Sequence, residues 1–298
     1  MEKSFGAIPP MVTPFKQDGQ LDEKNLQKIV EFLCAHVHGL FICGSYGNGP
    51  LMNVEERKTV AEIVAKYRKD HIQFIVHVGT TNVKESVELA KHAESIGAVK
   101  VAAVAPYYYH HTKDNLRRFY ERLANAVNIP VYVYYNPKFS GYGMEVDFLD
   151  ELADLGIAGV KDSSFDIMYH ADCIRKIKKE GFDVVLGTEA MFLSAASLGT
   201  RAFIPGLGNA WPELCVELFE AAIQDRMEEA RKLQAKVNSV RDIMYLAKST
   251  VVAVYTMLEL RGICKVYPRE PFIPLPDKEK DLIRVELQKV GLLQQEGR

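Results

Sequence analysis

The chain has 298 residues, and 48% of them are hydrophobic. This length can bury a large core and is near the size at which a single α/β barrel remains one domain. Its 37 Lys and Arg residues nearly balance 39 Asp and Glu residues, which gives a formal charge of -2. Because the chain also lacks an arginine-rich tract, we expect neither nucleic acid nor a membrane surface as a partner.

The start of the chain and its cysteines indicate the compartment. Residues 1–6 lack the apolar segment of a signal peptide, and no later stretch reaches the roughly 18 apolar residues of a membrane span. We therefore expect a soluble, cytoplasmic protein. The five cysteines are far apart and mostly in apolar surroundings, so we expect reduced core thiols rather than disulfides or metal ligands. They are Cys34, Cys43, Cys173, Cys215 and Cys264.

Short apolar runs rich in valine and isoleucine alternate with amphipathic, charged stretches. This alternation is typical of parallel strands joined by helices. The predicted strands are Gly6–Val12, Gly39–Cys43, Gln73–Val78, Val99–Ala105, Val131–Tyr134, Gly156–Val160, Asp183–Leu186 and Ala202–Ile204. The predicted helices between them include Asp22–His36, Val54–Arg68, Lys84–Ser95, Lys113–Ala126 and Phe165–Lys178. Eight such units predict an α/β fold, the (β/α)8 TIM barrel.

After Trp211 the pattern is helical throughout, apart from a proline-rich break at Tyr267–Pro276. The predicted helices are Glu213–Ile223, Arg226–Met244, Lys248–Arg261 and Lys278–Val290. We interpret the first as the last barrel helix, so that residues 1–223 form the catalytic barrel and residues 224–298 a C-terminal helical extension. A doubly wound open sheet is the structural alternative, but no glycine-rich phosphate turn follows the first strand.

Lys161 is the first candidate catalytic residue. It ends the apolar run Ile157–Val160 at the point where a buried strand should reach a loop. An amine attacks a carbonyl only when it is neutral, and burial at the edge of an apolar core favours the neutral form by lowering the pKa. The alternative is a charged residue that ends a strand by meeting solvent. In a barrel of this kind the active site lies at the C-terminal ends of the strands, which favours the catalytic interpretation.

Polar residues follow three other strands at the same end of the predicted barrel. They occur in Gly44–Gly49, Pro106–Tyr109 and Tyr134–Pro137. A tyrosine near a lysine is a plausible proton carrier for imine chemistry, although single tyrosines more often serve packing. The glycine-rich turn offers backbone N–H groups to a carboxylate or phosphate. From these residues alone we predict a carbonyl-processing barrel.

Together the four segments resemble the superfamily of pyruvate-dependent class I aldolases and lyases, which includes dihydrodipicolinate synthase, N-acetylneuraminate lyase and 2-keto-3-deoxygluconate aldolase. The resemblance covers nearly the whole chain. The family's Gly-Thr/Ser-Thr-Gly-Glu turn matches Gly44–Asn48, and its Pro-Tyr-Tyr matches Pro106–Tyr108. Its Tyr-Asn-x-Pro matches Tyr134–Pro137, and its Gly-Val/Ile-Lys-Asp-Ser matches Gly159–Ser163. The four motifs occur in family order.

The resemblance implies a catalytic set of four residues. Lys161 forms the Schiff base, Tyr134 shuttles the proton, and the Ser45 hydroxyl joins Tyr134 to Tyr108 in a relay. Tyr134 rather than Tyr135 takes the catalytic position, because the surrounding proline and glycine positions then align without a gap. In the family the second tyrosine comes from a neighbouring subunit, so we expect at least a dimer, and a homotetramer built from two such dimers.

The resemblance also implies substrate contacts and marks departures. The Ser45 and Tyr46 amides would hold the carboxylate of a 2-oxo acid, with Gly187 and Ile204 near the rest of the substrate. Phe139 stands where dihydrodipicolinate synthases keep an arginine for their aldehyde substrate, and a phenyl ring cannot make that bidentate pair.

Three further departures bear on the substrate. Tyr46 replaces a small hydroxyl residue and Asn48 the usual glutamate, so we expect a bulkier, less acidic pocket mouth. Gly187–Glu189 only partly resembles the Gly-x-Asp-Glu stretch of sialic acid lyases.

Other polar residues receive simpler interpretations. His110 and His111 are predicted to be exposed loop histidines. His36 and His38 lack a third ligand at metal spacing, so we expect no metal. Arg57 follows two glutamates on an amphipathic helix, which predicts a solvated face.

The leading hypothesis is a Schiff-base lyase that cleaves or forms a carbon–carbon bond next to a 2-oxo acid such as pyruvate, acting on a 2-keto-3-deoxy sugar acid or a similar compound. No organic cofactor is required. A dehydratase of the same substrate class, dihydrodipicolinate synthesis and N-acetylneuraminate cleavage remain alternatives. The rival from another class is a catalytically inactive 2-oxo-acid-binding protein, because fold alone never establishes function.

Overall fold

The fold is a parallel barrel, described by a computed structural model over residues 2–294. Within that range eight parallel strands form one sheet in the order β1-β8-β7-β6-β5-β4-β3-β2. The strands are β1 Gly6–Ala7, β2 Gly39–Ile42, β3 Gln73–His77, β4 Lys100–Val104, β5 Val131–Tyr135, β6 Gly159–Asp162, β7 Asp183–Leu186 and β8 Ala202–Phe203. The remaining gap, between β1 and β2, is bridged where Pro10 pairs with Phe41. The predicted (β/α)8 barrel is therefore confirmed.

Helices surround the strands in the order that the alternating pattern predicts. They are α1 Glu23–Cys34, α2 Val54–Tyr67, α3 Val83–Ser95, α4 Lys113–Ala124, α5 Pro137–Ser140, α6 Val146–Asp154, α7 Ile167–Lys176, α8 Phe192–Ser197, α9 Pro212–Ile223, α10 Met227–Met244, α11 Thr250–Leu260 and α12 Asp277–Lys289. Three of them, α5, α6 and α8, are additional to the helices named from the sequence. Each has fewer than ten residues, too few turns to display a clear helical period.

Two strands differ from the sequence prediction by more than one residue at a boundary. The first strand contains only Gly6–Ala7, because Pro9 and Pro10 have no N–H to donate to a ladder. The sixth strand is Gly159–Asp162, so Lys161 lies inside the strand rather than just beyond it. Its backbone is therefore fixed by pairing with β5, in which Tyr134 is the register partner of Lys161.

The core has two layers, as a filled barrel requires. The inner layer fills the barrel with side chains from all eight strands or their ends; its members are Ile8, Phe41, Ile75, Ala102, Val104, Tyr132, Tyr134, Ala158, Val185, Ala202 and Ile204. The larger outer layer lies between strands and helices. All five cysteines are buried and free. No helix within residues 2–294 is long and apolar enough to cross a membrane.

The C-terminal extension packs against the strand ends. Tyr267 pairs with Phe15 in an antiparallel bridge. The Tyr255 hydroxyl donates to the Thr13 carbonyl at 2.7 Å, and the Arg269 amide donates to Asn48 Oδ1 at 2.9 Å. These contacts place α11 beside the mouth of the barrel. Helix α10 reaches the same end, where Gln234 Nε2 donates to the Glu189 carbonyl at 2.9 Å.

Candidate active site

Lys161 projects into the barrel at its C-terminal end and is only 5% exposed. Its Nζ lies 3.8 Å from the ring centroid of Phe41 and 3.9 Å from that of Tyr134. Burial lowers the pKa of Lys161, although its contact with Tyr134 partly opposes this effect. The site therefore favours the neutral amine, which is the form that attacks a carbonyl.

Tyr134 lies next to Lys161 on the adjacent strand, and its hydroxyl is the centre of a small network. The Tyr134 hydroxyl is 3.3 Å from Ser45 Oγ, and Asn136 Nδ2 donates to it at 3.1 Å. Burial by itself raises the pKa of Tyr134. The charge of Lys161 and the hydrogen bonds from Ser45, Asn136 and Lys161 outweigh burial, so the net pKa is lowered. A phenol with a lowered pKa is suited to exchange protons with a substrate oxygen.

The turn after β2 supplies Ser45 and a set of backbone donors. Cys43 and Asn48 flank it with positive φ values of 56° and 53°. Neither Ser45 N–H nor Tyr46 N–H donates a hydrogen bond within residues 2–294. The Asn48 side chain turns toward the extension, where its Oδ1 accepts from Arg269 N at 2.9 Å. Two free N–H groups beside Ser45 form an arrangement that fits a carboxylate.

A cavity of about 700 Å³ opens above Lys161. It is lined by most of the residues that the sequence analysis assigned to the site. These are Ser45, Tyr46, Tyr134, Phe139, Lys161, Gly187 and Ile204. Its volume lies within the usual range of ligand pockets, about 300–1,000 Å³.

Gly187 and Ile204 form part of the cavity wall. A Cβ on Gly187 would lie 1.9 Å from Ser163 Oγ and 2.6 Å from the Asp162 carbonyl oxygen, so only glycine fits there. Ile204 is 3% exposed and adds an apolar surface. Tyr46 also lines the cavity, with its ring packed over Gly206. Burial raises the pKa of the Tyr46 phenol, which keeps it neutral.

Phe139 lies on α5 at the edge of the site, with 56% of its surface exposed. It borders both the main cavity and a neighbouring apolar cavity of about 310 Å³. The position expected to hold an arginine in dihydrodipicolinate synthases is therefore an apolar ring at the rim of this cavity.

Tyr108 is the one predicted site residue that the chain does not bring to its own cavity. Its side chain is 86% exposed, and its φ of 83° is unusual for a residue with a side chain. Its ring contacts Tyr109, with the centroids 4.9 Å apart. A role for Tyr108 in catalysis therefore depends on a second chain.

The prediction of a solvated face for Arg57 is wrong. Arg57 is 3% exposed and donates to the Gly79 carbonyl at 3.2 Å and to the His77 carbonyl. The His77 ring contacts the Cys43 carbonyl at 3.0 Å and accepts from Val104 N at 3.2 Å. The pattern of α2 could not reveal this, because the acceptors lie at the end of β3, outside the helix.

Other residues of the site were also missed. Asn136 lies within the Tyr134–Pro137 motif, so its polar side chain next to a candidate catalytic tyrosine was a usable signal. Phe41 gave no signal beyond its apolar strand. Glu189, the last residue of the Gly187–Glu189 stretch, and Arg241 line the cavity as well. Arg241 is in the last turn of α10 and gave no sequence signal. Within residues 2–294 no three His, Cys, Asp or Glu side chains cluster as metal ligands would.

Comparisons with known proteins agree with this geometry. A model of the dihydrodipicolinate synthetase family matches residues 3–290. This chain belongs to that family. The 4-hydroxy-tetrahydrodipicolinate synthase of Chlorobium limicola is 30% identical to it over 291 residues, which cover 97% of this chain and 98% of that protein.

Solved structures of the family superpose on nearly the whole chain. YagE, a prophage protein of the family from E. coli K12 solved in complex with pyruvate, has a TM-score of 0.93 at 28% identity and covers 97% of this chain and 99% of its own. KD(P)GA from T. tenax has a TM-score of 0.88 at 26% identity, with 96% and 98% covered. The family consists of pyruvate-dependent class I aldolases and lyases, and this chain is an enzyme of that type.

Proposed function

We propose that the chain cleaves or forms the carbon–carbon bond of a 2-keto-3-deoxy sugar acid or a similar compound, with Lys161 as the Schiff-base residue. The observation that carries this proposal is the contact of a buried lysine with Tyr134, whose hydroxyl is bonded to Ser45 and Asn136. These groups line one cavity, so the amine and the proton carrier meet the same substrate.

Each step of the reaction has a group in this arrangement. Neutral Lys161 Nζ attacks the 2-oxo carbon, and Tyr134 supplies the protons with which the carbinolamine loses water. In cleavage the bond between C3 and C4 breaks, its electron pair moves into the iminium to give an enamine, and the Tyr134 phenolate left by the loss of water takes the proton of the C4 hydroxyl as the aldehyde forms. Protonation at C3 and hydrolysis then release pyruvate and restore the amine.

The rest of the cavity supports a substrate larger than pyruvate. The unpaired amides of Ser45 and Tyr46 fit the carboxylate next to the 2-oxo group. A cavity of about 700 Å³ leaves room beyond a three-carbon acid. Dehydration of a 2-keto-3-deoxy acid uses the same iminium and enamine, so it shares every residue of this mechanism.

Reductive trapping tests the role of Lys161. Borohydride added with pyruvate should give a covalent adduct by intact mass, and Lys161→Ala should abolish it. Lys100 provides a matched control, because it is 4% exposed and burial also lowers its pKa. It lies at the other end of the barrel, 3.0 Å from Ser4 Oγ, so Lys100→Met should be trapped like the wild type. An undiminished adduct on Lys161→Ala would contradict the assignment, and no wild-type adduct would favour the inactive binding protein.

Dihydrodipicolinate synthesis is the second candidate, because relatives such as the Chlorobium limicola protein carry that name. Phe139 argues against it, since the aldehyde's carboxylate has no arginine at that position. Assays with pyruvate and aspartate semialdehyde should therefore give only trace product, with Phe139→Arg raising the yield. Turnover with kcat/KM of about 10⁴ M⁻¹s⁻¹ or more in the wild type would refute this prediction.

A further inference from the structure

The cavity above Lys161 carries an excess of positive charge. Apart from Lys161, for which burial favours the neutral form, its basic and acidic side chains are Lys138, Glu189, Arg241 and Lys248. Only one of these is acidic, although acidic residues outnumber basic ones in the whole chain, 39 to 37. Lys138 and Lys248 are exposed at the rim and form no ion pair within residues 2–294. A cleft with one prevailing sign of charge attracts ligands of the opposite sign.

Arg241 on α10 is the most firmly held of these cations. Its Nε is 3.6 Å from Glu189 Oε1, and its Nη2 donates to the Tyr245 hydroxyl at 2.6 Å. The guanidinium carbon lies 4.7 Å from the ring centroid of Tyr245 and 5.4 Å from that of Phe165. With 18% of its side chain exposed, Arg241 is stacked and positioned before any ligand arrives.

Glu189 orients Arg241 without occupying its donors. Glu189 is 3% exposed, and its Oε2 accepts from Gly206 N at 2.9 Å, which anchors the carboxylate to the backbone. The 3.6 Å separation from Arg241 Nε is longer than a normal hydrogen bond. Nη1 of Arg241 has no hydrogen-bond partner within residues 2–294. The outer edge of the guanidinium is therefore available to a ligand.

We propose that Arg241 is a specificity-determining residue that binds an anionic group, a carboxylate or phosphate, at the far end of the substrate. The inference rests on the proposed function, because it assumes that the 2-oxo end of the same substrate is joined to Lys161. The substrate class is then a 2-oxo acid with a second anionic terminus. A planar guanidinium suits such a group, since it can donate two parallel hydrogen bonds to carboxylate or phosphate oxygens.

The missing arginine at Phe139 fits this assignment. The cation is supplied from α10 instead of α5, so it would contact a bound acid from a different side of the cavity. A distal anion would therefore be bound at a different position from the one that dihydrodipicolinate synthases use.

Trapping with paired acids tests the proposal. 2-Oxoadipate and 2-oxohexanoate have the same carbon chain, but only 2-oxoadipate has a distal carboxylate. The concentration that gives half-maximal trapping by cyanoborohydride should be at least about tenfold lower for 2-oxoadipate, as expected for a hydrogen-bonded charge pair. 2-Oxo-5-phosphonopentanoate, trapped in the same way, shows whether the site prefers a phosphate-like group to a carboxylate.

Two substitutions on α10 assign the effect. Arg241→Met should reduce the preference for 2-oxoadipate to near unity, and Arg241→Lys should retain part of it. Arg231→Met, an exposed arginine on the same helix, should keep the wild-type ratio. If wild-type protein traps pyruvate but traps 2-oxoadipate and 2-oxohexanoate equally, this inference alone is overturned. The same conclusion follows if Arg241→Met keeps the wild-type preference for 2-oxoadipate. A wild type that does not trap pyruvate would instead overturn the proposed function, and this inference with it. If Arg241→Met does not fold, the wild-type comparison and Arg241→Lys still decide the question.

Discussion

At the scale of single residues, the proposed chemistry depends on the contact between Lys161 and Tyr134. Burial favours the neutral form of both groups, because it lowers the pKa of the lysine and raises the pKa of the phenol. Their contact acts in the opposite direction, and for Tyr134 it prevails together with the hydrogen bonds of Ser45 and Asn136. The charge of Lys161 lowers the pKa of Tyr134 only while the amine is protonated. A proton passed from Lys161 to Tyr134 leaves a neutral amine that can attack a carbonyl, beside a phenol that can give the proton to the substrate oxygen.

Tyr134→Phe is expected to lower turnover about 10²-fold or more, which is the effect of losing a general acid/base. Pyruvate binding should change much less, since we propose that the turn at Ser45 holds the carboxylate. Tyr132→Phe is a suitable control, because Tyr132 lies two residues before Tyr134 on the same strand. Its hydroxyl donates to Asp183 at 3.0 Å, away from the cavity. Near-normal turnover with greatly weakened binding in Tyr134→Phe would show that Tyr134 positions the substrate instead.

The sequence could predict individual residues where they belonged to short, ordered motifs. Lys161, Tyr134 and Ser45 were placed from their strand ends, and the structure brings them together. Arg241 could not be found in this way, because its role depends on how α10 lies across the barrel mouth. A helix pattern predicts which face is apolar, but not which cavity a polar side chain lines.

At the scale of elements, the strand-helix alternation predicted the barrel because parallel strands buried on both faces give continuous apolar runs. The errors occurred where local chemistry differs from that pattern. Pro9 and Pro10 shorten β1, and the brief helix α5 follows the Tyr134 strand without enough turns to be recognised. Yet α5 carries Phe139 to the cavity, so a four-residue element supplies a residue on which the proposed substrate choice depends.

The burial of Arg57 illustrates a second limit at this scale. Its guanidinium bonds the carbonyls of His77 and Gly79, where β3 ends, and so joins α2 to the strand ends beneath the site. A buried charge needs such partners. Amphipathic periodicity alone could not distinguish a solvated arginine from one that satisfies the carbonyls of another element.

At the scale of the whole molecule, one chain brings together every candidate site residue except Tyr108. The side chain is 86% exposed, and the backbone of Tyr108 has a φ of 83°. This conformation costs free energy and persists only where the surrounding structure fixes it. Aromatic residues are enriched at protein interfaces, because their rings bury area while their hydroxyls keep a polar partner. We propose that Tyr108 reaches the Ser45 hydroxyl of a second copy, and that two such dimers form a tetramer.

Mixing two inactive variants under conditions that exchange subunits tests this shared site. Lys161→Ala lacks the amine, and Tyr108→Phe lacks the donated hydroxyl, so each alone should be nearly inactive. A two-fold interface makes the exchange reciprocal. A mixed dimer then has one site with both defects and one with the lysine of one chain and the tyrosine of the other, which should regain activity. Tyr109→Phe is the neighbouring control and should remain active by itself. A fully active monomer in sedimentation, or no recovery despite proven exchange, would mean that Tyr108 does not act across an interface.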